Sequence, residues 1–260
     1  ADNGAVYLTA KGKDALSRAV VNHSGIIEAN RLSHNAKGEV ILLADMQTGQ
    51  ANVSGRISAQ GMNEQDGGFI ETSAAVINIA DSADITTLSA QGKTGEWLID
   101  PFNVIISNDN SAGSQNSKNT FNPSQNDSII NVGTLQNALA NNNITVTTAG
   151  SGTQEGNITV ADAVTWSAPT DLTLSAHNNI YINADITSTD TTETAGLNLE
   201  YGQANKAAGN KSDYYLAKGV KVNLQEGQNF STKLGSDGGK IDYTVITDLG
   251  KAGSTTGKDL

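Results

Sequence analysis

Four glycine-led phrases recur in the first hundred residues: Gly4-Ala-Val-Tyr-Leu8, Gly38-Glu-Val-Ile-Leu42, Gly68-Phe-Ile-Glu-Thr72 and Gly95-Glu-Trp-Leu-Ile99. Their starts lie 34, 30 and 27 residues apart. A second phrase keeps step between them, at Gly25-Ile-Ile-Glu-Ala29, Gly55-Arg-Ile-Ser-Ala59 and, more loosely, Ala83-Asp-Ile-Thr-Thr87. A repeat of roughly thirty residues that carries several short strands is the mark of a solenoid. Such a chain presents long walls in place of a single cleft.

Alternation within the phrases sets the direction of each side chain, because successive residues of a strand face opposite ways. Val6 and Leu8, Val40 and Leu42, Ile70 and Thr72, and Trp97 and Ile99 share one face, as do Ile27 with Ala29 and Ile57 with Ala59. Stacked, they form apolar columns with small alanines at the corners. Tyr7, Ile41, Glu71, Glu28, Arg56, Ser58 and Thr86 fall on the other, mostly polar face. An amphipathic helix needs apolar residues at i, i+3, i+4 and i+7, and the phrases lack that spacing. The expectation is an all-β chain, a right-handed parallel β-helix with protruding loops and one short helix. At about 4.8 Å per stacked strand, eight to ten coils would make a rod of roughly 45 Å.

The chain holds 27 glycines and only 3 prolines in 260 residues, which suits frequent turns without rigid breaks. The formal net charge of −11 and the separation of the three arginines, Arg18, Arg31 and Arg56, argue against nucleic acid as a partner. No cysteine occurs, which excludes disulfide staples and thiolate metal sites. No apolar run approaches a membrane span, so membrane insertion is not expected. A repeat already under way at Ala1 reads as the start of an excised piece, and further coils or a domain are expected beyond Leu260.

Four stretches follow from the pattern. Residues 1–107 carry regular coils. Residues 108–127 are polar and low in complexity, an extruded loop. Residues 128–248 resume the strands, with a short helix near 134–140 capped by Thr134 and a polar protrusion near 202–218. Residues 249–260 read as a linker.

Several of these phrases resemble a known family. Gly67-Gly-Phe-Ile-Glu-Thr-Ser73 followed by Gly95-Glu-Trp-Leu-Ile-Asp-Pro101 is similar to a signature pair of two-partner-secretion exoproteins of the filamentous-haemagglutinin and high-molecular-weight adhesin type. The matching positions are Gly68, Phe69, Ile70, Glu71, Thr72, Trp97, Leu98, Asp100 and Pro101. Val20-Val-Asn-His-Ser-Gly-Ile-Ile-Glu-Ala29, Gly133-Thr-Leu-Gln-Asn-Ala-Leu139, Asp171 to Ile180 and Tyr243 to Gly250 extend the resemblance over nearly the whole chain. It implies a long β-helical protein exported through an outer-membrane β-barrel transporter of a Gram-negative bacterium. Members act as adhesins, as haem- or haemopexin-acquisition proteins, or as stalks of contact-dependent toxins. The N-terminal secretion domain of such proteins is not recognisable here.

Candidates for chemistry are few. Asp45, Asp66, Asp81, Asp84 and Asp100 raise the possibility of a calcium-dependent polysaccharide lyase, which needs converging carboxylates and a base. They occupy unrelated phrase positions and read as turn and surface residues. His23, His34 and His177 lack the spacing of a metal-binding helix and read as solvated turn residues. Trp97, Trp166, Phe102, Tyr181, Tyr214 and Tyr215 could make a sugar-stacking platform. Register turns Trp97 inward and leaves Tyr214 and Tyr215 as the exposed pair. Asn-x-Ser/Thr sequons at Asn22, Asn52, Asn126, Asn143, Asn157, Asn210 and Asn229 are what an Asn-, Ser- and Thr-rich chain generates by chance. No nucleophile elbow or phosphate-binding loop is present. No catalytic residue, cofactor or metal site is expected.

Three functions remain open: a stalk and loop-presenting scaffold of an adhesin, a binder of a host protein of the haemopexin kind, and a carbohydrate-active enzyme. For the first two, contact with a host-cell protein or glycan falls to the loops, at Asn108, Asp109, Asn116 and Lys118 and at Tyr214 and Tyr215.

Overall fold

The computed structural model describes residues 1–12, 19–109, 128–148, 154–192 and 194–246. Strands come in threes. The first three repeats are β1 (Ala5–Thr9), β2 (Val20–His23) and β3 (Ile26–Glu28), then β4 (Glu39–Leu43), β5 (Gln50–Val53) and β6 (Arg56–Ser58), then β7 (Phe69–Ser73), β8 (Val76–Ile79) and β9 (Asp84–Thr86). The next has β10 (Glu96–Asp100), β11 (Val104–Ser107), β12 (Ser128–Asn131) and the helix α1 (Val132–Leu139). Three more follow: β13 (Asn143–Thr147), β14 (Ile158–Val160) and β15 (Val164–Trp166); β16 (Leu172–Ser175), β17 (Ile180–Ile182) and β18 (Ile186–Ser188); β19 (Leu197–Tyr201), β20 (Tyr214–Leu216) and β21 (Val222–Asn223). The described chain closes with β22 (Gly227–Leu234) and β23 (Ile241–Val245).

Most strands pair in parallel with a counterpart from a neighbouring repeat; β12, which pairs with β11 of its own repeat, and β23 do not. The largest sheet runs β1-β4-β7-β10-β13-β16-β19-β22-β23. Smaller sheets run β2-β5-β8, β3-β6-β9, β12-β11-β14-β17-β20 and β15-β18-β21. All these pairs are parallel except β22 with β23, which is antiparallel. The last strand phrase therefore turns back as a hairpin and does not continue the parallel order.

Register stacks like residues. Val6, Val40, Ile70, Trp97, Ile144, Leu172 and Leu197 form one inward column of the large sheet, and Leu42, Thr72, Ile99, Val146, Leu174 and Leu199 form the next. Nearly all are fully buried, and burying a side chain of this size stabilises by about 1.5–3 kcal/mol. Trp97 is 1% exposed, and its indole N–H donates to Thr72 Oγ1 at 3.2 Å, which explains how a threonine is accommodated in an apolar column.

Corners are fixed by side-chain amides. Asn103 Oδ1 accepts from the N–H of Gly156 and of Asn157, each at 2.9 Å. Asn157 Oδ1 accepts from Asn179 N–H at 3.0 Å, and Asn179 Oδ1 from Asp213 N–H at 2.9 Å. Each amide thus holds the backbone entering the next strand of one sheet. The leading glycines have a different cause. A Cβ at Gly68 would lie 2.0 Å from Gly38 O, and one at Gly95 would lie 2.1 Å from Gly68 O. Successive repeats approach too closely there for any side chain.

Two features depart from the regular order. β12 follows β11 in the chain but lies on its N-terminal side in the stack, against β8. The helix α1 packs against β9, β12, β13 and β15, between the two sheets that hold the third strand of each repeat. It spans Val132–Leu139, and its N-cap is Asn131, whose side chain accepts from Thr134 N–H. Thr134 is therefore not the cap. Its hydroxyl donates to Asp81 Oδ1 at 3.1 Å, while Gln136 Oε1 accepts from Thr165 N–H at 2.7 Å.

Candidate contact surface

The family-motif residues are placed by packing. Gly68, Ile70, Thr72, Trp97 and Pro101 are buried, while Phe69, Glu71, Leu98 and Asp100 are half-buried. By register Glu71 lies beside Leu98, and Ser73 beside Asp100. Ser73 Oγ donates to Glu71 Oε1 at 2.6 Å. Burial, and then the neighbouring Glu71 carboxylate, push the Asp100 carboxyl up to about 6. Asp100 Oδ1 is buried and accepts no hydrogen bond.

The other acids singled out in the sequence serve turns and rungs. Asp45 Oδ1 accepts from Thr48 N–H and Gln47 N–H, and these bonds hold its carboxyl below the usual range. Asp66 Oδ1 accepts from Lys93 N–H at 2.8 Å, and Asp84 pairs with Arg56 at 3.3 Å on the surface. Among the described residues no group of three His, Asp or Glu side chains converges as metal ligands would.

Histidine placement corrects one expectation. His23 is not a solvated turn residue: it is 6% exposed in β2, with Nε2 3.1 Å from Arg56 O. Its inward position follows from the alternation Val21, His23. Ser58 and Thr86, expected on the outer face, are also buried, at strand ends where the chain turns. Ser58 Oγ donates to Asn30 Oδ1 at 2.6 Å, so the hydroxyl is satisfied inside.

Of the loop residues, Asn108 and Asp109 are exposed. Asn108 N–H donates to Asp162 Oδ2 at 2.8 Å, and Asp109 N–H to Ser107 Oγ at 3.1 Å. Asn116 and Lys118 lie outside the described residues, as does most of 108–127.

Tyr214 and Tyr215 separate. Tyr215 is 46% exposed and stacks on Tyr181, with centroids 5.4 Å apart and planes 15° apart. Tyr214 turns to the core side, half-buried against Tyr201 at 5.4 Å. Burial, with Tyr243 and Asp213 nearby, raises its phenol above the ordinary value. The expected protrusion at 202–218 shortens to 202–213, because β20 rejoins its sheet. Within it Asn210 Nδ2 donates to Gly202 O at 2.8 Å and Asn210 Oδ1 accepts from Ser212 N–H at 3.1 Å. A polar cavity of about 570 Å³ opens beside this loop, lined by Asn178, Asn179, Asn205, Lys206, Lys211 and Ser212 among others.

No family model matches the chain, and no curated protein or solved structure matches it either. Function therefore rests on the residues.

A second concavity of about 500 Å³ runs over the outer edge of the large sheet, from Arg31 and Lys37 past Phe69 and Gly95 to Asp171. Its floor is low because Gly68 and Gly95 cannot carry side chains. Burial raises the Asp171 carboxyl, against a backbone bond from Gly196. The cavity at 202–213 was not legible in the sequence beyond its polarity, since it depends on Asn178 and Asn179 from the preceding repeat.

Proposed function

We propose that the chain is a right-handed parallel β-helix forming part of a secreted or surface-attached bacterial adhesin. It acts as a rigid stalk and as a scaffold that holds out loops for host-cell or surface attachment. The supporting observation is the parallel pairing of strands from successive repeats, continued through the large sheet from β1 to β22. Stacking of this kind couples each repeat to its neighbours and gives an extended body with long polar walls. The sequence phrases add export by two-partner secretion through an outer-membrane β-barrel, and delivery to the surface of a Gram-negative cell.

The role is non-enzymatic. The carboxylates that a lyase would gather are spread over separate tasks: Asp45 holds its own turn, Asp66 accepts a backbone N–H from the next repeat and Asp84 pairs with Arg56. A host-cell surface protein or glycan is the partner, and the loops make the contact because recognition sits on segments held by a rigid frame. The test is a pull-down with the immobilised chain from host-cell surface extract and from serum, alongside a variant lacking 108–127. A partner captured from cell-surface extract and lost on deletion is the expected result. A serum haem-carrier captured instead would replace adhesion with haem acquisition, and capture from neither source would overturn the attachment role.

A further inference from the structure

We propose that the Asp100–Pro101 peptide bond is a self-cleavage site, cut by the side-chain carboxyl of Asp100 through a cyclic anhydride. The chain holds one Asp-Pro pair, and it sits at the end of β10. The cut is a single event in each molecule and is independent of what the chain attaches to.

Pro101 supplies the weak bond. Its nitrogen carries no hydrogen and belongs to a tertiary amide, so it leaves more readily than other backbone nitrogens once protonated. Proline also ends the ladder here and keeps the residue before it extended. Asp100 therefore stays in strand alternation with Ile99, which is fully buried, and faces the outer side, half-buried.

The fold prepares both reacting groups. Asp100 Oδ1 is buried and has no hydrogen-bond partner among the described residues. Ser73, its register neighbour, gives its hydroxyl to Glu71 Oε1 at 2.6 Å. The carbonyl under attack is already polarised, since Ala74 N–H donates to Asp100 O at 3.2 Å. A fixed donor there stabilises the negative charge that collects on the oxygen of a tetrahedral intermediate.

The carboxyl also keeps its proton well above the ordinary aspartate range. Burial, and then Glu71, the one titratable residue of β7, push it up to about 6. On the other side of β10, β13 carries no titratable residue over Asn143–Thr147 to offset them. At about pH 5 the acid form outnumbers the carboxylate roughly tenfold, whereas an ordinary aspartate is mostly ionised there.

The chemistry balances with water alone. A carboxyl oxygen of Asp100 attacks the carbonyl carbon of the same residue and closes a five-membered ring. The carboxyl proton passes to Pro101 N, the bond from that carbon to nitrogen breaks, and its electron pair stays on nitrogen. This leaves a cyclic anhydride on Asp100 and a free amine on Pro101. One water then adds to the anhydride, restoring the side-chain carboxyl and making a new C-terminal one. Asp100 is half-buried, so solvent reaches it. The cut falls between β10 and β11, yet β12 packs on β8 and α1 on β9 across it. The two pieces therefore stay interlocked until the protein is denatured.

Incubation of the 260-residue chain at about pH 5 and about pH 8, read by denaturing electrophoresis and intact mass, tests the site. Fragments 1–100 and 101–260 are expected, the second with Pro101 at its N-terminus, forming tenfold or more faster in acid. Asp100→Asn should abolish them, with far-UV circular dichroism checking that the variant folds. Glu71→Gln should move the pH profile towards acid, a shift that a merely structural role for Glu71 would not give. The chain unfolded in urea at the same pH should cleave at least tenfold more slowly. Absence of both fragments from the folded chain at about pH 5 overturns the proposal. An equal rate in urea also overturns it, since that is the ordinary acid lability of an Asp-Pro bond. Undiminished cleavage in Asp100→Asn does the same, since it would mark a contaminating protease.

Discussion

The backbone N–H of Ile77 donates to Ser128 Oγ at 3.1 Å inside the protein, across 51 residues of chain. This bond marks the place where strand order and chain order part. Ile77 belongs to β8 and Ser128 to β12, while β11, which precedes β12 in sequence, lies one position further along the stack. A hydroxyl here satisfies an amide that no neighbouring strand reaches.

Replacing Ser128 with alanine should therefore leave the Ile77 amide buried and unpaired. The expected cost is about 1–3 kcal/mol, read as a lower urea midpoint with unchanged slope. Ser128→Thr keeps the hydroxyl and should retain most of the stability, whereas equal loss in both variants would assign the effect to packing.

The displaced order also sets when β11 becomes stable. A chain ending at Asp109 lacks β12 and β14, the two strands that β11 pairs with. Amides of Val104–Ser107 should then exchange quickly while those of Phe69–Ser73 stay protected, and a chain ending at Thr148 should protect both. Protection of Val104–Ser107 in the shorter chain would mean that β11 docks on β8 directly.

Gly68→Ala and Gly95→Ala should each destabilise strongly, because the new methyl meets a carbonyl oxygen of the preceding repeat at 2.0 and 2.1 Å. Forced displacement of packed backbone costs about 1–3 kcal/mol or more. Gly25→Ala, where nothing lies within 4 Å of the added Cβ, is the matched control and should change the thermal midpoint little.

Asp100 gives a pH dependence of known sign. Its carboxyl titrates at about 6 in the folded chain against 3.8 as the reference, so the unfolded state releases its proton first as pH rises. Its contribution to stability is thus present below pH 3.8 and is lost between there and about pH 6. Asp100→Asn should stabilise the protein at pH 7 by about 1–3 kcal/mol and do little at pH 3.5, as measured by urea unfolding at the two pH values.

Asp190 should behave in the opposite way. Burial pushes its carboxyl up, but the N–H groups of Thr192, Thr194 and Ala195 and the Thr192 hydroxyl outweigh that and hold it below its ordinary value. Its stabilisation is full above the unfolded value and falls away as acid protonates it. Asp190→Asn should lower the thermal midpoint at pH 7 and converge with the parent in acid.

Much of the fold was legible because strand alternation is a local signal. Gly38-Glu-Val-Ile-Leu42 and Gly68-Phe-Ile-Glu-Thr72 gave the inward column through Val40, Leu42, Ile70 and Thr72. The middle strand of each repeat was missed in the first hundred residues, although Val21-Asn-His-Ser-Gly25 and Ala51-Asn-Val-Ser-Gly55 align Asn22 with Asn52. Those residues stack with Asn78, Asn52 Nδ2 donating to Asn22 Oδ1 at 2.6 Å and Asn78 Nδ2 to Asn52 Oδ1 at 2.7 Å. Apolar residues do flank that column, as in Ala51-Asn-Val53 and Ile77-Asn-Ile79, but with only two inward positions per strand, one of them His23 in the first repeat, the alternation is too short to stand out. The contact surface was half legible: polarity marked 202–213, but whether Tyr214 or Tyr215 faces outward depends on the register with Ile180 and Tyr181.

By itself the sequence determined that this chain is all-β, with glycine-led strands repeating near thirty residues and an apolar face on each. Those properties are written in neighbouring residues through the two-residue period of a strand. Only the tertiary structure decided that β12 slips in beneath β11, that α1 lies between β9 and β15, and that β23 turns back against β22. Each depends on which edge is free when the strand arrives, and hydrogen-bond partners tens of residues away leave no mark in local composition.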